Sequence, residues 1–252
     1  MGDSSFFIHD QKKLVQRIEE KHNIVLKFLA HEVFSTSEIL GQLLNLSRTA
    51  AYQTLKSMEK RNLVQMYSIE YELAQRGKQT IWGLTPQGAL FATDFESSKV
   101  DFYEAGRIAT STMAHSIAVQ RVKVNGMAKG WTNWISSRRL RQLAVKDKGK
   151  WRQIPDAIAV STEGKTVAFE IERTVKTPAR YEVILGHYAK MLVDETVNDV
   201  FYIGPRNIIK RLHRLFSKID KIVINAKTYP VHDNVRKHIH FLSFDEWYDL
   251  DS

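Results

Sequence analysis

The chain has 252 residues, room for two cores, and its 43% hydrophobic and 26% charged residues describe globular protein rather than a disordered or fibrous chain. No apolar run reaches the ~18 residues of a membrane span, residues 1–10 hold Asp3 and Asp10 but no basic signal-peptide flank, and the lack of cysteine removes disulfides and thiolate metal sites. A cytoplasmic protein with no membrane insertion is expected, and the net charge of +9 favours a polyanionic partner, nucleic acid first.

Leu14, Ile18, Val25 and Leu29 recur at helical spacing, with Glu19, Glu20, Lys21 and Lys27 outside the stripe, and predict a helix over 11–30. Ser35-Thr36-Ser37-Glu38 offers a hydroxyl cap and an early carboxylate for a short second helix, whose inward residues are Ile39, Leu43 and Leu44. Ser47 caps a third helix to about residue 61, with Ala51, Leu55 and Met58 as its buried stripe. Arg48, Thr49, Tyr52, Gln53 and Lys56 then fall on the opposite side. Short helix, tight turn and polar-faced helix are the spacing of a helix-turn-helix, whose second helix enters the major groove.

Residues 63–69 and 79–84 read as two strands about a basic tip containing Arg76 and Lys78. Leu84-Thr85-Pro86-Gln87-Gly88 starts a further helix, with Thr85 as cap and Pro86 at the favoured first position. This order resembles the winged-helix domains of bacterial regulators. Residues 94–100 are polar and aperiodic and are read as linker, giving an expected division into a DNA-binding domain over 1–93, a linker over 94–104 and a second domain over 105–252.

Residues 101–252 carry a net +8 and the first hundred only +1, so the second domain holds most of the electrostatic footprint. Arg138, Arg139, Arg141, Lys146, Lys148, Lys150 and Arg152 lie near Trp131, Trp134 and Trp151, a composition that suits a phosphate-backbone surface. A helix is expected over 105–128. Residues 154–160 and 166–173 read as a hairpin closed by Thr162-Glu163-Gly164. With a three-residue loop, Ser161 pairs with Lys165 and Asp156 lies opposite Glu170. Period-two alternation puts Glu172 on the same face. Three convergent carboxylates repel one another unless a divalent cation such as Mg²⁺ or Mn²⁺ neutralises them, or unless Arg152, Arg173 or Lys176 does so in salt bridges. Helix (180–193), strand (200–204), helix (208–216) and strands at 221–224 and 240–244 follow. Overall this is an α+β chain.

The helix, three strands, helix, strand order resembles the restriction-endonuclease-like fold. Ile154-Pro155-Asp156-Ala157 followed by Glu170-Ile171-Glu172 is similar to the nuclease motif Pro-Asp … Asp/Glu-x-Lys, with Glu172 in the lysine place. A longer match runs through His115-Ser116-Ile117-Ala118-Val119, Gly130-Trp131, Pro155-Asp156-Ala157, then Glu170-Ile171-Glu172-Arg173-Thr174, Lys176 and Arg180-Tyr181. With the preceding winged helix it resembles the replication-relaxation family, including the MOB-C class of plasmid relaxases. Ser136 to Leu140 departs from that pattern where a glutamate is expected. The resemblance implies a relaxase that nicks one strand of double-stranded plasmid DNA at a transfer origin, with a mobilisation or coupling protein as further partner. It implies Asp156, Glu170 and Glu172 as Mg²⁺ or Mn²⁺ ligands, Glu172 also as general base, and Lys176 or Lys190 in place of the missing lysine. Tyr181 and Tyr188 become candidate strand-transfer nucleophiles, although aromatic packing explains either alone. A non-catalytic plasmid replication or transcription regulator with a degenerate nuclease fold is the alternative.

Overall fold

In the computed structural model, which describes residues 4–70, 78–92, 102–106, 108–146 and 151–250, the first helix, α1 (Ser4–Glu32), outruns the expected 11–30 at both ends. A two-residue strand, β1 (Phe34–Ser35), leads into α2 (Ser37–Leu43), and the Thr36 hydroxyl accepts from the Ile39 amide at 3.3 Å as its cap. The turn to α3 (Arg48–Lys60) passes through Asn45 at φ +50°, and Ser47 caps α3 through the Ala50 amide at 3.3 Å. Gly41 brings the two helices together, because a Cβ there would lie 3.1 Å from the Ala51 Cβ. Ala51, Leu55 and Met58 are buried, as their spacing predicts.

Strands β2 (Val64–Glu70) and β3 (Lys78–Leu84) pair antiparallel, with β1 on the other edge of β3. Residues 71–77, and with them Arg76, lie outside the described residues. Helix α4 (Pro86–Ala92) begins where the Thr85 hydroxyl donates to the Asn62 carbonyl at 2.5 Å and accepts from the Gly88 amide at 2.9 Å. Gly88 seats α4 on the start of the hairpin, since a Cβ there would stand 1.8 Å from the Leu63 carbonyl oxygen.

The chain separates into a unit over 1–120 and a unit over 121–252, a division that falls inside α5 (Thr110–Ala128). Most of the expected linker over 94–104 lies outside the described residues. In the first unit Gln120 is fully buried, accepting from Ser35 Oγ and donating to the Phe34 carbonyl, both at 2.8 Å.

The second unit is built on a five-stranded mixed sheet. Its strands are β4 (Thr132–Ser136), β5 (Ala157–Val160), β6 (Thr166–Ile171), β7 (Asp199–Gly204) and β10 (Ile239–Ser243), in the order β10-β7-β6-β5-β4. The β4, β5 and β6 side is antiparallel, and the β6, β7 and β10 side is parallel. One face carries Ile158, Ala168, Val200 and Tyr202 into a core shared with α7 (Pro178–Val193) and α8 (Arg206–Phe216). The opposite face carries Phe169 and Phe201 against Trp131, Trp134 and Trp247, the last from α10 (Phe244–Asp249).

Two sequence readings are corrected here. Trp131 and Trp134 do not stand free on the surface: half-buried, their rings lie 5.4 and 4.9 Å from Phe169, and Trp151 packs on the other core. Residues 221–224 are a strand, β8 (Lys221–Ile224), but among the described residues it pairs only with β9 (Lys227–Pro230), in a separate hairpin. That hairpin presses on α7 at Gly186, where a Cβ would lie 2.3 Å from the Val223 carbonyl oxygen. The remaining helices are α6 (Ser137–Lys146) and the short α9 (Asp233–Lys237). The architecture is mixed helix and sheet, as the α+β expectation has it. Among the described residues no helix is long and apolar enough to cross a membrane.

Candidate functional site

The hairpin of β5 and β6 closes through the expected three-residue loop. The Ser161 amide donates to the Lys165 carbonyl at 2.9 Å and Gly164 takes φ +80°. Ala157 pairs with Phe169, so Asp156, immediately before β5, stands opposite Glu170. The Asp156 amide donates to the Phe169 carbonyl at 3.0 Å, while its Oδ2 accepts from the Ile171 amide at 2.8 Å. That carboxylate therefore continues the ladder beyond the end of the strand.

Glu170 is buried on the α7 face of the sheet. Its Oε1 accepts from Tyr188 Oη at 2.5 Å and from Gln153 Nε2 at 3.0 Å. Burial raises its carboxyl to about 8, with the Asp156 charge adding to the rise and the two hydrogen bonds and Lys176 opposing it. Glu172, also buried, forms an ion pair with Lys176 Nζ, four residues further along the chain. Lys176 is held further by Tyr181, whose hydroxyl accepts from the Lys176 amide at 3.2 Å and whose ring centroid lies 5.6 Å from Nζ.

Asp156, Glu170, Glu172, Lys176, Tyr181 and Tyr188 are thus brought to one end of β6. Lys190 is not: it pairs with Asp194 at 2.5 Å on the exposed side of α7. Tyr181 and Tyr188 are fully buried, and desolvation pushes both phenols up, the reverse of what an attacking phenolate needs. Among the described residues no three His, Cys, Asp or Glu side chains group to hold a metal ion. The hairpin offers a carboxylate pair, with Glu172 turned to Lys176.

Two members of the site carried no sequence signature. Gln153 precedes the Pro-Asp step and is recognisable only through its bond to Glu170. Tyr202 is the β7 partner of Glu170; its hydroxyl is buried and has no hydrogen-bond partner among the described residues, and burial with the nearby Glu170 charge raises it well above the ordinary phenol. In sequence both read as ordinary strand and loop residues.

In the first unit Arg48, Thr49, Tyr52 and Gln53 are exposed on α3. Lys56 is half-buried, paired with Glu59 at 2.6 Å, its ammonium 5.8 Å from the Tyr52 ring and 5.7 Å from the Trp82 ring. An open groove beside α3 is lined by Arg48, Thr49, Tyr52, Lys78, Gln79 and Trp82, among others. In the second unit Arg139 and Arg141 are exposed on α6 and Arg138 is half-buried. Lys146 ends α6, and Lys148 and Lys150 lie outside the described residues.

A family model described as replication-relaxation matches residues 26–200. No curated protein matches the chain. Among solved structures, Lactococcus lactis ZitR in apo form is similar at 22% identity and a TM-score of 0.25, covering 35% of this chain and 63% of that one. The chain therefore spans less than two thirds of that protein's length.

Proposed function

The chain belongs to the replication-relaxation family, and from that premise we propose that it binds plasmid DNA and nicks one strand at a transfer origin as a relaxase of the MOB-C class. In this reading the first unit is a winged helix-turn-helix. Helix α3 is its recognition helix, with Arg48, Thr49, Tyr52, Gln53 and Lys56 toward the major groove, and the β2–β3 hairpin is its wing. The second unit is a restriction-endonuclease-like core. The basic stretch from Arg138 through Lys150 tracks the phosphate backbone.

The observation that carries the nicking proposal is the Asp156–Glu170 carboxylate pair with the Glu172–Lys176 ion pair beside it. The donor set fits Mg²⁺ or Mn²⁺. Such a cation is commonly held by one or two carboxylates plus water and phosphate oxygens, and the carboxyl of Glu170, raised chiefly by burial and further by the Asp156 charge, is one whose ionised form a cation would favour. Asp156 and Glu170 would hold it, and when bound it supplies Lewis-acid activation at the scissile phosphate. Gln153 and Tyr188 fix one oxygen of Glu170 and so orient the other. Lys176 supplies the amino group that Glu172 replaces in the motif, positioned to meet charge developing on the phosphate. With both phenols buried, water is the nucleophile in this reading, and Glu172 is its base once Lys176 turns to the phosphate.

The test is relaxation of a supercoiled plasmid carrying a cognate transfer origin, in Mg²⁺ or Mn²⁺, by wild type, Asp156→Asn and Glu170→Gln. Wild type is expected to yield open circles. Both variants should bind the origin and leave it closed, because affinity resides in α3 and the basic surface. Equal nicking by all three proteins would place the chemistry elsewhere. A wild type that binds but never nicks would establish the non-catalytic regulator, a reading that the glutamate in the lysine place already favours.

A further inference from the structure

Helix α8 carries its basic and apolar residues on opposite sides. With Arg206 placed at 0°, a rotation of about 100° per residue puts Lys210, Arg214 and Arg211 at about 40°, 80° and 140°. Ile208, Ile209, Leu212, Leu215 and Phe216 fill the arc from about 180° to 300°, and of these Ile209, Leu212 and Phe216 are buried. The arc that faces solvent holds Arg206, Asn207, Lys210, Arg211 and Arg214, all exposed, and the turn after the helix adds exposed Lys218. Residues 206–218 contain five Lys or Arg and no Asp or Glu. Little inside the fold answers this charge. Arg206 stands 3.7 Å from Asp245, with both side chains largely exposed. Glu246, the other acid near Arg206 and Lys210, is engaged with the amide and hydroxyl of Ser243 in the capping box of α10. Among the described residues Lys210, Arg211 and Arg214 form no ion pair. Like charges at i,i+4, as in Arg206–Lys210 and Lys210–Arg214, destabilise a helix, and Arg206 sets a cation at the end where the helix dipole favours an anion. An external polyanion relieves both.

We infer that this face of α8 is a second phosphate-backbone surface for double-stranded DNA, apart from the stretch over Arg138 to Lys150. The inference rests on the reading of the chain as a DNA-binding protein. The row Arg206, Lys210, Arg214 is about 12 Å long, a length over which one strand of a duplex presents about three phosphates. Its place suits a duplex that also reaches the carboxylates. Helix α8 begins just after Gly204, where a Cβ would overlap the Glu172 carbonyl oxygen, and the Glu172 amide donates to the Ile203 carbonyl at 2.8 Å. The row thus starts at the end of the sheet that carries Asp156, Glu170 and Glu172. An acidic protein is a poorer fit, because the exposed arc offers no apolar or aromatic anchor for a desolvated interface centre. An anionic membrane is poorer too, since the apolar side of α8 that would enter a bilayer is already packed in the core.

Anisotropy titration of a labelled random-sequence duplex with the full chain, without divalent cations and over a range of salt, tests this. Lys210→Gln, Arg211→Gln and Arg214→Gln together should flatten the logarithmic salt slope by about 0.9 for each phosphate contact removed, up to about 2.7 in all. Glutamine forms helix about as well as lysine or arginine, so circular dichroism and a thermal melt should show the fold intact. A control that removes the same charge from α1, Lys12→Gln with Lys13→Gln and Arg17→Gln, should keep the wild-type slope. Equal slopes for wild type and the α8 variant, or equal flattening by the control, overturn the inference. An unchanged slope together with lost sedimentation on phosphatidylglycerol vesicles would give the face to a membrane, which also overturns it. A flattened slope in a chain whose wild type never nicks an origin leaves the inference standing and removes only the nicking reading. A wild type that binds no duplex removes both.

Discussion

Glu170 combines two opposed demands: it is buried beside another acid, yet two donors hold one of its oxygens. Its native carboxyl titrates near 8, against about 4.5 when free. Between those values the native state carries a proton that the unfolded chain has lost. Stability must therefore fall as pH rises through that window and level off above pH 8. Glu170→Gln should remove this component, which urea unfolding of the cation-free protein at intervals across the window would reveal as a flatter pH profile than wild type. The reverse is expected for the proposed cation: if Glu170 holds it, proton and divalent ion compete for the carboxylate, so apparent Mn²⁺ affinity should climb toward pH 8. The pairing of Asp156 with Glu170 was legible because a three-residue loop and the two-residue strand period leave little freedom. Gln153 and Tyr202 were not, because their places depend on tertiary neighbours that no local pattern encodes.

At the scale of elements, the first unit was readable nearly helix by helix, since Thr36, Ser47 and Thr85 each cap where a hydroxyl precedes an apolar stripe. The reason for Gly88 was not readable: it is the backbone of Leu63, distant in sequence, that excludes a side chain. Strand β4 escaped for a local reason. Asn133 takes φ +52° and the register with β5 shifts between Thr132 and Ile135, which breaks the alternation that announces a strand. The exposed face of α3 supports a separable test. Arg48→Ala with Gln53→Ala should weaken binding to the cognate site by about 1–3 kcal/mol for each base pair whose readout is removed. The melting temperature should hardly move, because neither side chain is part of the buried stripe. Titration of a labelled origin duplex measures the first effect, and a thermal melt the second. Unchanged affinity would remove α3 from the DNA interface.

Across the whole molecule, charge and chemistry are distributed unequally. The second unit contains the buried acids and, by composition, most of the positive charge. Neutralising Lys146, Lys148 and Lys150 should flatten the logarithmic salt dependence of DNA binding by roughly one unit for each phosphate that these lysines neutralise, alike for cognate and random duplexes. Identical slopes in fluorescence-anisotropy titrations would exclude these lysines from the interface. The α+β class was legible from the order of periodic segments. The separation of β8 and β9 from the main sheet was not, because sheet membership is decided by packing on α7 rather than by strand propensity. Asp156, finally, serves twice. The oxygen that accepts from the Ile171 amide belongs to the same carboxylate that would face a cation. A lineage that abandoned the chemistry would still be selected to keep an acceptor there, since an unpaired buried amide is costly. Decay at this position should run to asparagine, which keeps the oxygen and loses only the charge, before it runs to alanine.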